Sequence, residues 1–461
     1  MKAILPILSE HKKRAYYLQL YDYIKEAILK GELLEGEKLP SLRGLSKSTG
    51  LSVTTIELAY NQLLVEGYIY SRAQSGYYVN KVFTHSNKTF YKKAPVSAPQ
   101  SLYFEDTFNL PEPAFYYDLD CFDFNKWKKC MNKVINEFPS ALLFESDPQG
   151  EKILRTEISK YLYMSRGVSC SPEQIIIGAG TQQITNHLAT LLRKFSIGHV
   201  ALEDPVYMPV RNTFRDRGFA ITPVHVANDG LSIEKLPANI RTAAYVSPSN
   251  HVFTGSVMPV GRRYELLGWA AANNSYIIED DYDSELRYFG KPIPALKSLH
   301  DDQRVIYLGS FSSTLFAAVK ISYMVLPAEM AEMFSSMAGD YSQTCSKLEQ
   351  LTLAMFMETG NYQTHIKKLR KLYSQKLNKV VEVFNEKGRD FIEVKNTNSG
   401  INVILKVNSS KSSEELKKEA ENSGIPLSII NKDGVFIFYY NQIPLSDIPK
   451  AIGGLISLWR S

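Results

Sequence analysis

Residues 36–79 read GEKLPSLRGLSKSTGLSVTTIELAYNQLLVEGYIYSRAQSGYYV. Pro40-Ser41 offers an N-cap before a short helix from Leu42 to Thr49, which Gly50 ends. Ser52 caps the next helix, whose Ile56, Ala59, Tyr60, Leu63 and Leu64 fall on one face and whose C′ residue is Gly67. Tyr68–Arg72 and Tyr77–Asn80 alternate like strands around Gln74-Ser75-Gly76, a turn that needs glycine's backbone freedom. Just upstream, Leu20, Ile24, Ala27 and Ile28 recur at helical spacing until Gly31. Two helices separated by a tight Gly50-Leu51 turn predict a helix-turn-helix, and the hairpin predicts a wing.

The chemistry of that string suits DNA. A helix fits the major groove of B-DNA, and the first turn after Ser52 presents Val53, Thr54 and Thr55 to base edges and methyl groups. Helix amino termini aim unpaired N–H groups at phosphates, with Ser41 and Arg43 placed to assist. The plainer reading of Ser41 and Ser52 is that they only cap helices, and for either serine alone the two readings weigh evenly.

The string resembles the winged helix-turn-helix of GntR-type bacterial repressors over nearly its full length. The matching residues are Leu39-Pro40-Ser41-x-Arg43, Ser52-x-Thr54, Ala59-Tyr60, Glu66-Gly67-Tyr68 and Ser71-Arg72…Ser75-Gly76. The resemblance implies DNA contacts from Ser41, Arg43, Ser52, Thr54, Thr55, Arg72, Ser75 and Gly76. Two departures stand out: Val53 occupies a position that is usually arginine, and Gln74 replaces the first glycine of a Gly-Ser-Gly wing. The missing arginine removes a guanine or phosphate contact, so the operator cannot be borrowed from relatives.

The whole chain has 461 residues, enough for more than one domain at roughly 100–200 residues each. Hydrophobic residues make up 44% and charged residues 22%, the balance of a soluble globular protein. No apolar run is long enough to span a bilayer, and the first residues lack a secretory pattern, so a cytoplasmic location without membrane contact is expected. Four scattered cysteines fit neither a disulfide framework nor a metal site. Net charge is +5, unevenly placed: residues 1–100 carry 14 Lys+Arg against 8 Asp+Glu, and the remainder 39 against 40. Excess positive charge at the amino-terminal end is consistent with an anionic partner there. Residues 81–101, with four lysines, two prolines and no acid, read as an exposed linker.

Beyond the linker, helical patterns alternate with short apolar strands at Gln174–Ile177, His199–Leu202, Thr242–Val246, Tyr276–Ile278 and Val305–Leu308. This predicts a mostly parallel sheet covered on both faces, with ligands at the carboxyl ends of its strands. The polar strings there are Gly178-Ala179-Gly180-Thr181-Gln182, Glu203-Asp204-Pro205-x-Tyr207, Ser247-Pro248-Ser249-Asn250, Glu279-Asp280-Asp281-Tyr282 and Gly309-Ser310-Phe311-Ser312-Ser313. Singly, each has a bland reading: a tight turn for Gly-Ala-Gly, a core position for Tyr207, a solvated turn for the three acids. Acids following a buried strand are costly without a cation nearby.

In this order and spacing the strings resemble fold-type I aminotransferases, and most closely the large domain of MocR/GabR-type regulators, in which a GntR winged helix precedes an aminotransferase-like domain. DPQG (147–150), SRGVSCSPEQIIIGAGTQQ (165–183), EDPVY (203–207), MPVGRR (258–263), IIEDDYDSE (277–285) and ISYMVLP (321–327) carry the resemblance, which spans roughly residues 15–460. It implies a pyridoxal 5′-phosphate pocket. Asp280 would face the pyridine nitrogen, Tyr282 and Asn250 the phenolic oxygen, and Tyr207 would stack near the ring. Gly180, Thr181, Gln182 and Ser310 would hold the phosphate.

The resemblance fails at one decisive position. The family's Thr/Ser-Phe-Ser-Lys motif carries the lysine that binds the cofactor covalently. Here it reads Ser310-Phe311-Ser312-Ser313, and the phosphate-binding arginine further on is Lys320. A serine hydroxyl forms no imine and is a poor base, so transamination is not expected and no residue is assigned a catalytic role. The tyrosine expected before DPQG is also absent (Phe144-Glu145-Ser146). The strand 435–441 lacks the arginine that clamps an amino-acid carboxylate.

The expected architecture is an α+β winged helix-turn-helix at 12–80, a linker at 81–101, and an α/β fold-type I aminotransferase-like domain with a small carboxy-terminal subdomain at 102–461. Its expected function is MocR-type transcriptional regulation. The partners are a double-stranded DNA operator and a second copy of the chain in a head-to-tail homodimer. The pocket, with Ser312, Ser313 and Lys320 on its rim, is expected to take pyridoxal phosphate non-covalently, its amine form or another small anion as an effector, or no ligand. A pure dimerisation scaffold and a working aminotransferase are the rival readings, the second opposed by Ser313.

Overall fold

A computed structural model of the chain describes residues 14–82, 118–227, 229–288, 293–299, 303–397, 400–431 and 433–460. The expected linker from residue 83 onward lies outside these residues, as do positions 12 and 13 and the expected start of the large domain at 102. The chain divides into two compact units, Met1–Asp106 and Thr107–Ser461.

The amino-terminal unit is α1 (Tyr16–Leu29), α2 (Leu42–Thr49), α3 (Val53–Val65) and the hairpin β1 (Ile69–Arg72)–β2 (Gly76–Val79). Its core is the apolar stripe of each helix: Leu20, Ile24 and Ile28 meet Leu45, Ile56, Ala59, Tyr60 and Leu63, closed by Ile69 and Val79. Gly50 takes a left-handed φ of 74° that ends α2 and lets the chain turn into α3. The Tyr60 hydroxyl donates to the Pro40 carbonyl at 3.0 Å, tying α3 to the entry of α2. This is a winged helix, with the wing turning at Gln74 (φ 58°) and Gly76 (φ 112°).

The large unit opens with α4 (Phe124–Glu137) and α5 (Lys152–Arg166). Strand β3 (Ile175–Gly178) then leads to α6 (Thr181–Lys194), and β4 (His199–Asp204) to α7 (Met208–Asp216). Strands β5 (Ala220–Ala227), β6 (Gly230–Leu231) and β7 (Thr242–Val246) precede α8 (Val260–Ala272). Strands β8 (Tyr276–Asp280), β9 (Val305–Ser310) and β10 (Ser322–Val325) complete an eight-stranded sheet of order β3-β10-β9-β8-β7-β4-β5-β6. The run β9-β8-β7-β4-β5 is parallel, and β10 and β6 pair antiparallel with their neighbours. Successive residues serve opposite faces: Val200 and Leu202 pack on one side and Ala201 on the other, as do Tyr276 and Ile278 against Ile277. Burial on both faces is why these strands are continuous apolar runs rather than alternating ones.

Helices α9 (Ala328–Met337), α10 (Lys347–Glu358) and α11 (Asn361–Lys387) lead to a four-stranded antiparallel sheet, order β11-β12-β14-β13. It comprises β11 (Ile392–Lys395), β12 (Asn402–Val407), β13 (Leu427–Asn431) and β14 (Val435–Tyr439). It buries Val403, Leu405, Phe436 and Phe438 against α11, α12 (Ser413–Asn422) and α13 (Ile448–Arg460).

One ion pair fixes the carboxyl end of the central strand β8. Arg166, the last residue of α5, reaches Asp281 with two nearly parallel bonds, Nε to Oδ2 at 2.7 Å and Nη2 to Oδ1 at 2.8 Å. Both side chains are at most 3% exposed. Tyr307 (2.5 Å) and Ser284 (2.7 Å) donate to the same carboxylate. Removing one partner of a buried pair leaves an uncompensated charge, so Arg166→Met alone is expected to cost about 3–5 kcal/mol. Arg166→Met with Asp281→Leu should recover most of that loss. The chain's three tryptophans all lie in the large unit and report its urea unfolding. Equal loss in the single and double variants would show that Arg166 acts through packing alone.

Candidate functional site

The strand ends converge on a cavity of about 460 Å³, within the range of small-ligand sites. Its wall includes Gly180, Thr181, Gln182, Tyr207, Asp280, Tyr282, Ser310, Ser312 and Lys320, all expected from the sequence. Two expected residues stand off it. Asn250 is buried and lines a separate small recess with Arg166, Ser249 and Asp283, and Ser313 adjoins Asp283.

One end of the cavity is built to hold an anion. Helix α6 starts at Gly180 with no side chain capping its first N–H groups, so they face the cavity with the positive end of the helix dipole. Ser310 accepts from the Ser322 hydroxyl at 2.9 Å, which leaves its own proton available. Ser312 donates to the Val319 carbonyl at 2.9 Å and offers only lone pairs. Lys320 is exposed on the rim and adds a charge without the fork geometry of arginine. Backbone N–H groups, one free hydroxyl and an ammonium form a donor set that fits a phosphate.

The other end is acidic and aromatic. Asp280 accepts a short hydrogen bond from the Tyr245 hydroxyl, and burial pushes its carboxyl up to about 6. Glu203 accepts from the Ser247 N–H at 2.9 Å, and burial pushes it up to about 8. His251 lies 3.7 Å from Glu203 and its Nε2 is 3.0 Å from the Pro205 carbonyl. A carbonyl only accepts, so Nε2 carries the proton; burial lowers this imidazole to about 4 and keeps it neutral. For the neighbouring Asp281, burial acts upward, but Arg166 and the Tyr307 hydroxyl hold it below its ordinary value.

The three acids at the end of β8, buried at Glu279 and Asp281 and half-buried at Asp280, thus have distinct partners. Glu279 accepts the Leu296 and Lys297 N–H groups at 2.7 and 2.9 Å, Asp280 faces Tyr245 and the cavity, and Asp281 is held by Arg166. A solvated turn is excluded by their burial, and the cation that three such acids call for is Arg166. Residues not singled out from the sequence also form the wall: Glu203, Tyr245, Ser247, His251, Phe253 and Tyr439. Glu203 stood within a recognised string; Tyr245, in the middle of an apolar strand, carried no signal beyond that of a core residue.

On the winged helix, Ser41 and Ser52 are caps. Ser41 Oγ accepts the Gly44 N–H and Ser52 Oγ the Thr55 N–H, each at 3.1 Å. Thr55 is bound back to Ser52, hydroxyl to hydroxyl, at 2.8 Å. Arg43 and Thr54 are exposed. On the wing, the Arg72 guanidinium lies over the Tyr70 and Tyr78 rings at 5.4 and 4.9 Å, and Lys38 lies over Tyr78 at 5.8 Å. Ser75 is hydrogen-bonded to the Tyr78 hydroxyl at 2.6 Å, and Gly76 turns the hairpin. Lys38 was not expected; it joins the wing because its backbone bridges to Tyr78.

Comparison with known proteins agrees with both units. Residues 16–79 match the gntR family of bacterial regulatory proteins, and residues 108–448 match aminotransferase class I and II. The HTH-type transcriptional regulator YdeL of Bacillus subtilis is 37% identical over 98% of this chain and 96% of its own length. The pyridoxine biosynthesis transcriptional regulator PdxR of Corynebacterium glutamicum is 30% identical over 88% and 86%. The probable rhizopine catabolism regulatory protein MocR of Rhizobium meliloti is 29% identical over 90% and 86%. Among solved structures, an archaeal alanine:glyoxylate aminotransferase superposes with a TM-score of 0.66 at 20% identity, covering 75% of this chain and 89% of that one; it shares the fold. The LysN α-aminoadipate aminotransferase of Thermus thermophilus gives 0.65 at 20% identity, covering 75% and 90%. A GntR winged helix and a fold-type I aminotransferase-like domain in one chain, matched nearly end to end by regulators, make this protein a MocR-type transcriptional regulator.

Proposed function

We propose that the large domain is a catalytically silent sensor that binds pyridoxal 5′-phosphate, or a phosphorylated relative of it, without a covalent bond, and that it transmits occupancy to the winged helix. The observation that carries this reading is the pairing of a well-formed anion cradle at Gly180–Gln182, Ser310 and Lys320 with Ser313 where the family's lysine belongs. The cofactor, when bound, supplies an electron-sink ring. The N–H groups at Gly180–Gln182 would hold its phosphate, and the Asp280 carboxylate would be the partner for its ring nitrogen. No primary amine stands at position 313 to form an imine or carry a proton from a substrate. Burial keeps Glu203 protonated at neutral pH, so Asp280 is the anion available to a protonated ring nitrogen.

On the head, we place α3 in the major groove, with Thr54 toward the bases and with Arg43, Arg72 and the Ser75-Gly76 wing on phosphates. Ser41, Ser52 and Thr55 serve mainly by fixing the helix starts. The regulator acts in the cytoplasm as a head-to-tail homodimer on a two-half-site operator. Exposed Phe138, Leu143, Phe144 and Ile153, close together in the chain, supply apolar surface for a second copy.

Equilibrium dialysis of the purified regulator with pyridoxal phosphate tests the sensor. Saturable binding that leaves no borohydride-stable adduct is expected, with a stable adduct appearing in Ser313→Lys. No binding to either protein would reject the cofactor pocket and leave a scaffold. A second expectation concerns pH. Glu203 has a folded value near 8 against an ordinary 4.5, so its burial costs nothing below 4.5 and costs progressively more as pH rises to about 8. Compared with Glu203→Gln, the native protein should therefore lose stability across that window in denaturant titrations. Parallel pH profiles would show that Glu203 is ionised in the fold.

A further inference from the structure

The recognition helix lacks the groups that usually read guanine. Residues 53–65, VTTIELAYNQLLV, contain no lysine or arginine and one acid, Glu57, which is exposed. Arginine and lysine are the side chains that donate to guanine O6 and N7, and an acidic side chain cannot. The hydroxyls at the start of the helix are also largely committed. Ser52 accepts the Thr55 N–H, and the Ser52 and Thr55 hydroxyls are bound to each other.

What the first turn presents outward, besides the Thr54 hydroxyl, is apolar. Val53, the first residue of α3, is 41% exposed, as Leu58 and Val65 are farther along the helix, but it alone of these stands in the first turn, beside Thr54, which is exposed with a γ-methyl and a hydroxyl. The 5-methyl of thymine is the apolar group in the major groove. Cations for the phosphates lie off this helix: Arg43 and Lys47 on α2, Lys38 and Arg72 at the wing.

We infer that Val53 is a specificity residue that reads a thymine methyl group in each half-site, in place of a guanine contact. The inference rests on the placement of α3 in the major groove. Division of labour follows from the charges: backbone attraction comes from α2 and the wing, and base choice at this position comes from an apolar contact that excludes water.

The test uses full-length protein and the site it selects from random duplex DNA. Each thymine of that site is replaced in turn by deoxyuridine, which removes only the methyl. One position per half-site is expected to lose roughly three- to fivefold in affinity, the worth of one buried methyl. Val53→Ala should bind native DNA about that much more weakly and show no further loss at the same deoxyuridine, with an unchanged salt dependence. Arg43→Ala should instead lower the salt slope by about one while keeping the deoxyuridine penalty. Because Val53 is exposed and alanine favours helix, the alanine variant should fold, which its thermal transition verifies. Thr54→Ser removes the neighbouring methyl and should leave the penalty in place. Selective binding with no deoxyuridine effect, or a penalty that persists in Val53→Ala, would overturn the inference while leaving the groove placement standing. Failure to select any site would overturn both.

Discussion

The large domain depends on a paired charge in its interior. Helix α5 ends at Arg166, and β8 runs out at Asp280, just before Asp281; the bidentate contact between Arg166 and Asp281 joins the helix to the end of the central strand. A guanidinium at a helix carboxyl terminus is already favoured by the helix dipole, so the cation sits where the backbone welcomes it. The pair neutralises one of three consecutive acids. The strand's period of two then sorts the rest: Glu279 and Asp281 serve the protein, whereas Asp280 between them points the other way, into the cavity. A functional carboxylate is thus held on either side by structural ones, each with its own donors. Without that arrangement three buried acids in a row would be prohibitive.

The winged helix applies the same economy to hydroxyl groups. A serine at a helix start has one side-chain oxygen to satisfy an orphan N–H, and Ser41 and Ser52 both spend it that way. In this fold these serines are needed as caps, whatever the operator. Val53 and Thr54, exposed in the first turn of α3, carry no such capping task. The wing tyrosines act similarly on charge: Tyr78 holds Arg72 by its ring face and Tyr70 accepts its Nη2–H at the hydroxyl, 3.1 Å, so the guanidinium is ordered without an acid that would cancel it.

Much of this was legible in the sequence. Helix α2 runs from Leu42 to Thr49 as the Ser41 and Gly50 signals required, and β7 covers Thr242–Val246 as read. Caps, left-handed glycines and apolar runs are local, and local chemistry decides them. The nine cavity residues came from the resemblance to fold-type I aminotransferases, carried by the order of polar strings after strand ends; singly, each string had a bland reading. Tyr245, His251 and Tyr439 were not found, since each reaches the cavity through tertiary packing that one strand's pattern does not encode. Asn250 lines a small recess that also includes Arg166 and Asp283, and Ser313 is hydrogen-bonded to Asp283, neighbours that no single motif string could name. Arg166 lay within a quoted string, but only the fold brings it across 115 residues to Asp281.

The replaced lysine changes what the pocket is good for. An amine at position 313 would hold an aldehyde ligand covalently, and release would then require hydrolysis of the imine or exchange with another amine. In the proposed sensor, serine at 313 would leave the ligand to N–H groups, hydroxyls, Lys320 and Asp280. Occupancy of such a pocket follows free ligand concentration directly, which is what a regulator needs and what a turnover catalyst does not. A ligand can shift a head-body equilibrium only by its difference in affinity between the two arrangements. In the proposed sensor, the anion cradle at Gly180–Gln182 is the part of the pocket that would have to favour one arrangement over another.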